Sequence, residues 1–400
     1  MPSIKRSASI DVVVAGYLGV DMTPGFPAGR GWVPMAKLFR PGTLIETDGL
    51  TISLGGAVAN TGLALKRFGR RVELMGCTGD DVLGSLLRQQ LDLHGAGTSL
   101  REIRGANTAY GIVISPPGTD RVFLEDPGAN RLFGSRHIDY DIVSRSRLFH
   151  FGYPPLMDAM WASQGDELHR IYARVRSLGV ATSLDMALPD PKSPAGKADW
   201  QAILKRVLPL VDIFAPSIEE TLFMLEPKLH ATLVKAAGSA PLVDVIPADV
   251  YERLAVRILG FGVKVVMIKA AHHGAYFRTG DVKSLADTLG LRLPVNSWNQ
   301  RSLWKTSLPV HPRRFVNASG AGDCAVAGLL SALLSGKELY QAAHYAMLAG
   351  RDNLHASDAI SGLRDWKSMT ASVERHSTNS KKGIPSKRGH RVNKLSLQLL

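Results

Sequence analysis

Short runs of β-branched and other apolar residues alternate along this chain with longer stretches in which apolar positions recur every three or four residues. The short runs predict buried strands at 11–16, 71–76, 146–151, 181–185, 212–214 and 264–269. The longer stretches predict helices at 57–68, 80–94, 158–178, 248–261 and 321–335, with a further apolar helix at 341–350. Alternation of this kind implies an α/β fold, a central and mostly parallel sheet flanked by crossover helices, with ligands gathered at the carboxyl ends of the strands. Two segments break the rhythm. Residues 34–53 and 109–124 read as antiparallel strands, the second turning at Pro116-Pro117-Gly118-Thr119-Asp120, and together they predict a small β-sheet lid over the strand ends. Residues 189–198 read as a Pro-rich loop and 288–312 as a long irregular connection holding Trp298 and Trp304.

Composition narrows the class. A chain of 400 residues that is 45% hydrophobic and 21% charged can bury one large core. We expect a single body over 1–370 and a tail over 371–400. The longest apolar runs, such as 325–334, fall short of the ~20 residues that cross a bilayer, so no membrane partner is expected. The run Val12-Val13-Val14-Ala15 is bracketed by Asp11 and Asp21 without a cleavage site, and reads as a first strand rather than a signal peptide. Only Cys77 and Cys324 occur, each in an apolar context, which argues against a disulfide framework and for a reducing cytoplasm. The net charge of +13 suggests nucleic acid, but seven Lys or Arg and no acid fall in 375–400. That is a solvated, disordered extension, unaccompanied by an aromatic platform, zinc-ligand spacing or a basic recognition helix. The His272-His273 pair likewise has no further ligand at a recognisable spacing and reads as a turn.

The chemistry concentrates near Asn317-Ala318-Ser319-Gly320-Ala321-Gly322-Asp323, which runs directly into an apolar helix. Small residues let the backbone turn, and the helix start aims unpaired N–H groups and the positive end of its dipole back at that turn. This makes an anion pocket. Asp323 would repel a bound anion, so its place there makes sense if it takes a proton from something attacking that anion: phosphoryl transfer to a hydroxyl. A second block, Gly55-Gly56-Ala57-Val58-Ala59-Asn60-Thr61-Gly62, pairs glycines that allow close approach of a ligand with an Asn that can donate to and accept from a diol. A phosphate loop of the Gly-x-x-x-x-Gly-Lys-Ser/Thr kind is absent from the sequence.

Taken in order, these blocks resemble the two signatures of the ribokinase-like carbohydrate kinases, the phosphofructokinase-B family, over roughly residues 10 to 365. Further segments strengthen the resemblance. Gly16 to Asp21 looks like the family's first strand ending in a sugar-binding Asp, and Pro127-Gly128-Ala129-Asn130 like its Gly-Ala-Asn segment. Pro216 to Glu220 looks like its Asn-x-x-Glu motif, and Ile268 to Gly274 like its nucleotide turn.

The resemblance implies an ATP- and Mg²⁺-dependent kinase that phosphorylates a primary hydroxyl of a sugar or sugar acid, often dimeric through the lid. Asp323 would be the general base, and the backbone of Gly320, Ala321 and Gly322 the anion hole. Asp21, Gly56, Asn60 and Asn130 would bind sugar hydroxyls; Lys269, Gly274 and Asn353 would line the nucleotide; Glu220 would hold magnesium through water. Asp185, at a predicted strand end, is a further polar contact to consider. Three positions depart from the family pattern: Asn317 replaces an Asp, Ser217 an Asn, and Ala271 a Gly at a position that could require positive φ. Two other readings stay open. One is a nucleoside kinase, with Phe39, Tyr110 and Phe123 as candidates for a base slot; the other is a catalytically silent sugar- or nucleotide-binding protein. A phosphorylated sugar would need a cationic clamp, for which Arg40, Arg121 and Arg131 are near the lid.

Overall fold

A computed structural model describes residues 9–27, 35–116, 122–311, 314–356 and 358–381. Its central sheet has nine strands, in the order Ser302–Lys305, Ala275–Thr279, Val265–Lys269, Ile213–Phe214, Ala181–Asp185, Ser146–Gly152, Ile10–Gly16, Val72–Met75 and Gly97–Thr98. The first two of these pair antiparallel and the rest run parallel. Strands buried on both faces carry near-continuous apolar runs, and Val12 to Ala15 are fully buried for that reason. Gly16 lies opposite Gly152, and Gly152 opposite Asp185, so three strands end level with one another. That common edge is where an open α/β sheet receives a ligand.

Two apolar cores fill the faces of the sheet. One holds helices Gly56–Arg67, Ala321–Leu334 and Leu339–Asn353; the other holds Asp166–Ser177, Trp200–Val207 and Ala248–Gly260. Of the fourteen residues in Ala321–Leu334, twelve are buried, so this helix is covered on every side and its N-terminus is fixed rigidly.

A second sheet sits apart from the first, in the order Leu50–Gly55, Gly19–Pro24, Tyr110–Ile114 and Val122–Asp126. The hairpin expected over 109–124 is present, although its turn lies, beyond Pro116, outside the described residues. Elsewhere the structure corrects the sequence reading. In 34–53 only Leu50–Gly55 forms strand, and Met35–Leu38 is a helical turn, because Pro41, Gly42, Asp48 and Gly49 interrupt any alternation. Asp21 does not end the first strand; it lies inside Gly19–Pro24, whose pairing with Tyr110–Ile114 is parallel. The helix expected over 158–178 is two helices, Asp158–Trp161 and Asp166–Ser177, separated by Ser163, Gln164 and Gly165, all at positive φ. The break brings Gly165 against Ile203, so close that a Cβ there would stand 2.8 Å from Cγ2. Within 288–312, Val295–Trp298 is helical, and Ser302–Lys305 supplies the edge strand of the main sheet. The helix Trp366–Lys381 carries the packed body past residue 370, with Met369 and Val373 in the core; the remainder of the tail lies outside the described residues. Among the described residues, no helix is long and apolar enough to cross a membrane.

Gly328 shows how tightly the helix behind Asp323 is set. A Cβ at this position would come within 2.6 Å of the Tyr345 carbonyl oxygen and 3.0 Å of Ala346 Cα, both backbone atoms of the adjacent helix. Gly328→Ala must therefore push two buried helices apart, and should destabilise the protein by about 1–3 kcal/mol in denaturant unfolding, despite the better helix propensity of Ala.

Candidate active site

Gly320 begins the site. It adopts φ +76°, and a Cβ would strike Ala359 Cβ at 2.7 Å, so glycine is required both for the backbone and for the space. The helix Ala321–Leu334 starts immediately afterwards. The Ala321 N–H reaches Ala318 C=O at 3.3 Å, and the amides of Gly322 and Asp323 have no backbone acceptor among the described residues. These unpaired donors at a rigid helix start are the anion-binding element. Asn317, one turn before, accepts the Ser319 N–H at 2.6 Å and so closes the loop with its side chain.

Asp323 projects from the first turn of that helix and is only 2% exposed. Its Oδ2 accepts hydrogen bonds from Asn60 Nδ2 at 2.9 Å and from the Tyr153 hydroxyl at 2.7 Å, whereas Oδ1 has no partner. Burial raises the carboxyl above its ordinary pKa, while Tyr153, Lys269, Asn60 and the nearby Thr61 hydroxyl pull in the opposite direction. The arrangement fixes Oδ2 and leaves Oδ1 without a hydrogen bond of ordinary geometry, with the Thr61 hydroxyl nearby. Tyr153 was not singled out in the sequence; it follows the strand Ser146–Gly152, at φ +66°, a left-handed turn that swings its ring toward Asp323. Burial, with Asp323 and Asp185 adding, pushes its phenol well above the usual value, so it acts as a donor.

Beside Asp323 lies a buried ion pair. Lys269 Nζ sits 2.6 and 2.7 Å from the two oxygens of Asp185, and a Cβ on Gly322 would be 3.6 Å from the same nitrogen. Burial opposes the ammonium, but Asp185, Glu220 and Asp323 outweigh it and hold the Lys269 pKa above its usual value. Burial pushes Asp185 up to about 7, with Lys269 opposing and Glu220 and Asp323 adding. Three carboxylates around one ammonium give the cleft an excess of negative charge, and carboxylate oxygens are the hard donors that magnesium takes, commonly through water. Glu220 belongs to this group from the helix Ile218–Leu225, where its Oε2 accepts the Ser217 N–H at 2.6 Å while Ser217 Oγ accepts the Glu220 N–H at 3.2 Å. Ser217 is thus the N-cap that orients Glu220. Behind the pair, His150 is fully buried with Nδ1 3.0 Å from Ser183 Oγ, and burial, aided by Lys269, pushes it down to about 3, keeping it neutral.

The other expected site residues fall around this centre in different ways. Asn353 is fully buried, neither amide atom has a partner, and Nδ2 would be 3.5 Å from a Cβ on Gly320, which brings it to the anion loop. Two orphaned polar atoms beside that loop fit a ligand that brings polar groups of its own. Asp21 lies over two glycines of neighbouring lid strands, its carboxylate 2.7 Å from a Cβ built on Gly55 and 3.0 Å from one on Gly111. Gly56, at φ +85°, admits the Tyr17 carbonyl at a distance where a Cβ would be 2.6 Å away; the close approach its sequence suggested is made by the protein's own backbone. Asn60 faces Asp323. Asn130 is fully buried, donating to Leu18 C=O at 2.9 Å and accepting the Leu18 N–H at 3.3 Å, so it fixes the turn that leads to Asp21. Gly274, at φ +100°, packs under Lys305 C=O in a turn whose Ala271 has φ +44°. Phe39 and Phe123 are about half exposed.

Comparison with known proteins gives concordant findings. A family model described as pfkB family carbohydrate kinase matches residues 32–365. The chain is 25% identical over 291 residues to a probable fructokinase-6, chloroplastic, of Arabidopsis thaliana, a match that covers 72% of this chain and 64% of that relative. Among solved structures it is similar to an Arabidopsis thaliana ribokinase complexed with ribose and ATP, with TM-score 0.67, 17% identity and coverage of 91% and 99% of the two chains. It is also similar to a putative ribokinase II from E. coli in complex with ATP and Mg²⁺, with TM-score 0.65, 21% identity and coverage of 92% and 100%.

The strain at Ala271 is directly testable. A left-handed residue with a Cβ costs about 1–2 kcal/mol, and glycine loses roughly 0.5–1 kcal/mol more on folding than alanine does. Ala271→Gly should therefore stabilise the protein by up to about 1 kcal/mol, read as a rise in melting temperature.

Proposed function

The chain belongs to the pfkB family of carbohydrate kinases and has the ribokinase-like fold, and from that premise we propose that it transfers the γ-phosphoryl group of ATP to a primary hydroxyl of a sugar or sugar acid. The observation that carries this reading is the unpartnered Oδ1 of Asp323 beside the unpaired amides of its own helix start. Asp323 Oδ1 takes the hydroxyl proton as the alcohol oxygen bonds to the γ-phosphorus and the bond to ADP breaks. The amides of Gly322 and Asp323 and the turn at Gly320 and Ala321 receive the charge on the phosphoryl oxygens. Lys269 offsets that charge from the side, held in place by Asp185.

Magnesium, when bound with ATP, would neutralise phosphate charge; Glu220, with the adjoining carboxylates, would hold it. Asp21 is assigned to accept from sugar hydroxyls. Asn60 and Asn130 act as positioning residues, the first through Asp323 and the second through Leu18. Asn353, whose amide atoms have no partner, would satisfy a ligand at the anion loop, and Lys269 and Gly274 would border the nucleotide. The lid exposes Leu50, Ile52, Val122, Phe123 and Leu124, an apolar surface that favours a second copy of the chain covering it. Cys77 and Cys324 are both free and buried, as suits a reducing compartment such as the cytoplasm.

ADP release from MgATP, measured against a panel of sugars, sugar acids, sugar phosphates and nucleosides, tests the reading. Turnover is expected with a sugar or sugar acid, and Asp323→Asn should lower kcat by at least about 10²-fold with little change in substrate affinity. Turnover only with nucleosides, or undiminished turnover in the variant, would overturn it. Tyr153→Phe removes a hydrogen bond that lowers the Asp323 pKa. The base then protonates at higher pH, so the acidic limb of the kcat/KM profile should move to higher pH; an unmoved limb would exclude this role for Tyr153.

A further inference from the structure

At the surface, in the turn that follows Lys269, two imidazoles and a carboxylate converge. His272 and His273 occupy the 3-10 turn Ala271–His273 between the strands Val265–Lys269 and Ala275–Thr279. The positive φ of Ala271 and Gly274 folds the chain back sharply, and the two successive rings come to lie side by side with centroids 4.2 Å apart. Each Nε2 is 2.7 Å from the same atom, Oδ1 of Asp244. Asp244 comes from the turn Leu242–Val245, too far back in the chain for a sequence spacing to announce it. The histidine pair that read as a turn is a turn, and it also has a third partner.

The surroundings hold this geometry in place. Trp304 Nε1 donates to His273 C=O at 3.2 Å, and Ser307 Oγ donates to His272 C=O. The Trp304 ring packs edge-on against Tyr251, 4.9 Å between centroids. The three side chains are 37–56% exposed, so any coordination position they leave open faces water.

We propose that Asp244, His272 and His273 form a binding site for one divalent transition-metal ion of the Zn²⁺ class. Two imidazole nitrogens and one carboxylate oxygen are a donor set that such ions take and that Mg²⁺ does not, which separates this site from the oxygen-lined cleft at Glu220. The donor atoms lie within 4.8 Å of one another. Ligands about 2.0–2.2 Å from a tetrahedral ion stand roughly 3.3 Å apart, so the 2.7 Å contacts need open by only about half an ångström. The ion replaces two hydrogen bonds to one oxygen with three metal–ligand bonds. In doing so it staples the Leu242–Val245 segment to the turn that follows Lys269. The proposal is independent of the kinase reading.

The test is a titration of the chelator-treated full chain with Co²⁺ and then Zn²⁺, without nucleotide. One equivalent should bind, with visible Co²⁺ absorption that Zn²⁺ abolishes. His272→Ala, His273→Ala and Asp244→Asn should each weaken binding by more than the ~10- to 100-fold that loss of an outer-shell partner costs, while Glu220→Gln leaves it unchanged. Because the chain has twelve histidines, the variants decide the location. Absence of saturable one-equivalent binding, or native affinity in the two histidine variants, would overturn the proposal and leave the cluster as carboxylate–imidazole hydrogen bonds.

Discussion

A single buried ammonium organises the cleft. Lys269 and Asp185 end two strands of the central sheet that are separated by the short strand Ile213–Phe214, and their side chains meet across it. Taking each charge out of water costs several kcal/mol, so removing either partner would strand the other at a cost of about 3–5 kcal/mol. The pair therefore holds the strand ends in register. It also puts positive charge against Gly322, where the helix begins, and lowers the cost of burying Asp323 nearby. Without Lys269 the three carboxylates would repel one another and any phosphate brought between them.

Asp323 is held by two short hydrogen bonds on the same oxygen. A carboxylate with both oxygens saturated would be well fixed and weakly basic; one with neither saturated would be basic but free to rotate. Asn60 and Tyr153 both use Oδ2, so the carboxylate plane is set while Oδ1 keeps its lone pairs. The burial that raises its pKa and the donors that lower it are opposing terms on the same group. The two donors come from different elements, one from the helix Gly56–Arg67 and one from the turn after Ser146–Gly152, so the base is aligned by the fold as a whole.

Much of this was legible in the chain. Buried parallel strands carry apolar runs on both faces, and 181–185 was readable to the residue. The anion loop was legible because small residues before an apolar helix have few other uses. What could not be read depended on contacts distant in sequence. Tyr153 and Asp323 are 170 positions apart, and only the left-handed turn at Tyr153 brings them together. Asn60 and Asn130 have the donor and acceptor chemistry a sugar needs, but composition cannot tell a ligand hydroxyl from a carboxylate or a backbone amide of the same protein. The helix expected over 158–178 failed for a related reason: its periodicity continues through 163–165, and tertiary packing against Ile203 decides the break.

The three departures from the family pattern each have a structural place in this chain. Asn317 accepts the Ser319 N–H as an Asp would, but without adding a fourth negative charge to a cleft that already has three carboxylates near one ammonium. Ser217 caps the helix Ile218–Leu225 and, through the reciprocal bond, aims Glu220 toward Lys269 and Asp185. Ala271 takes up the left-handed conformation in spite of its Cβ. The first two make hydrogen bonds at unstrained backbone, and of the three only Ala271 carries backbone strain. That strain falls in the segment where the chain doubles back after Lys269, so the turn is fixed by its neighbours Trp304 and Ser307 rather than by its own preference. A turn over-determined in this way can hold adjacent side chains in a geometry that an unconstrained chain would not adopt.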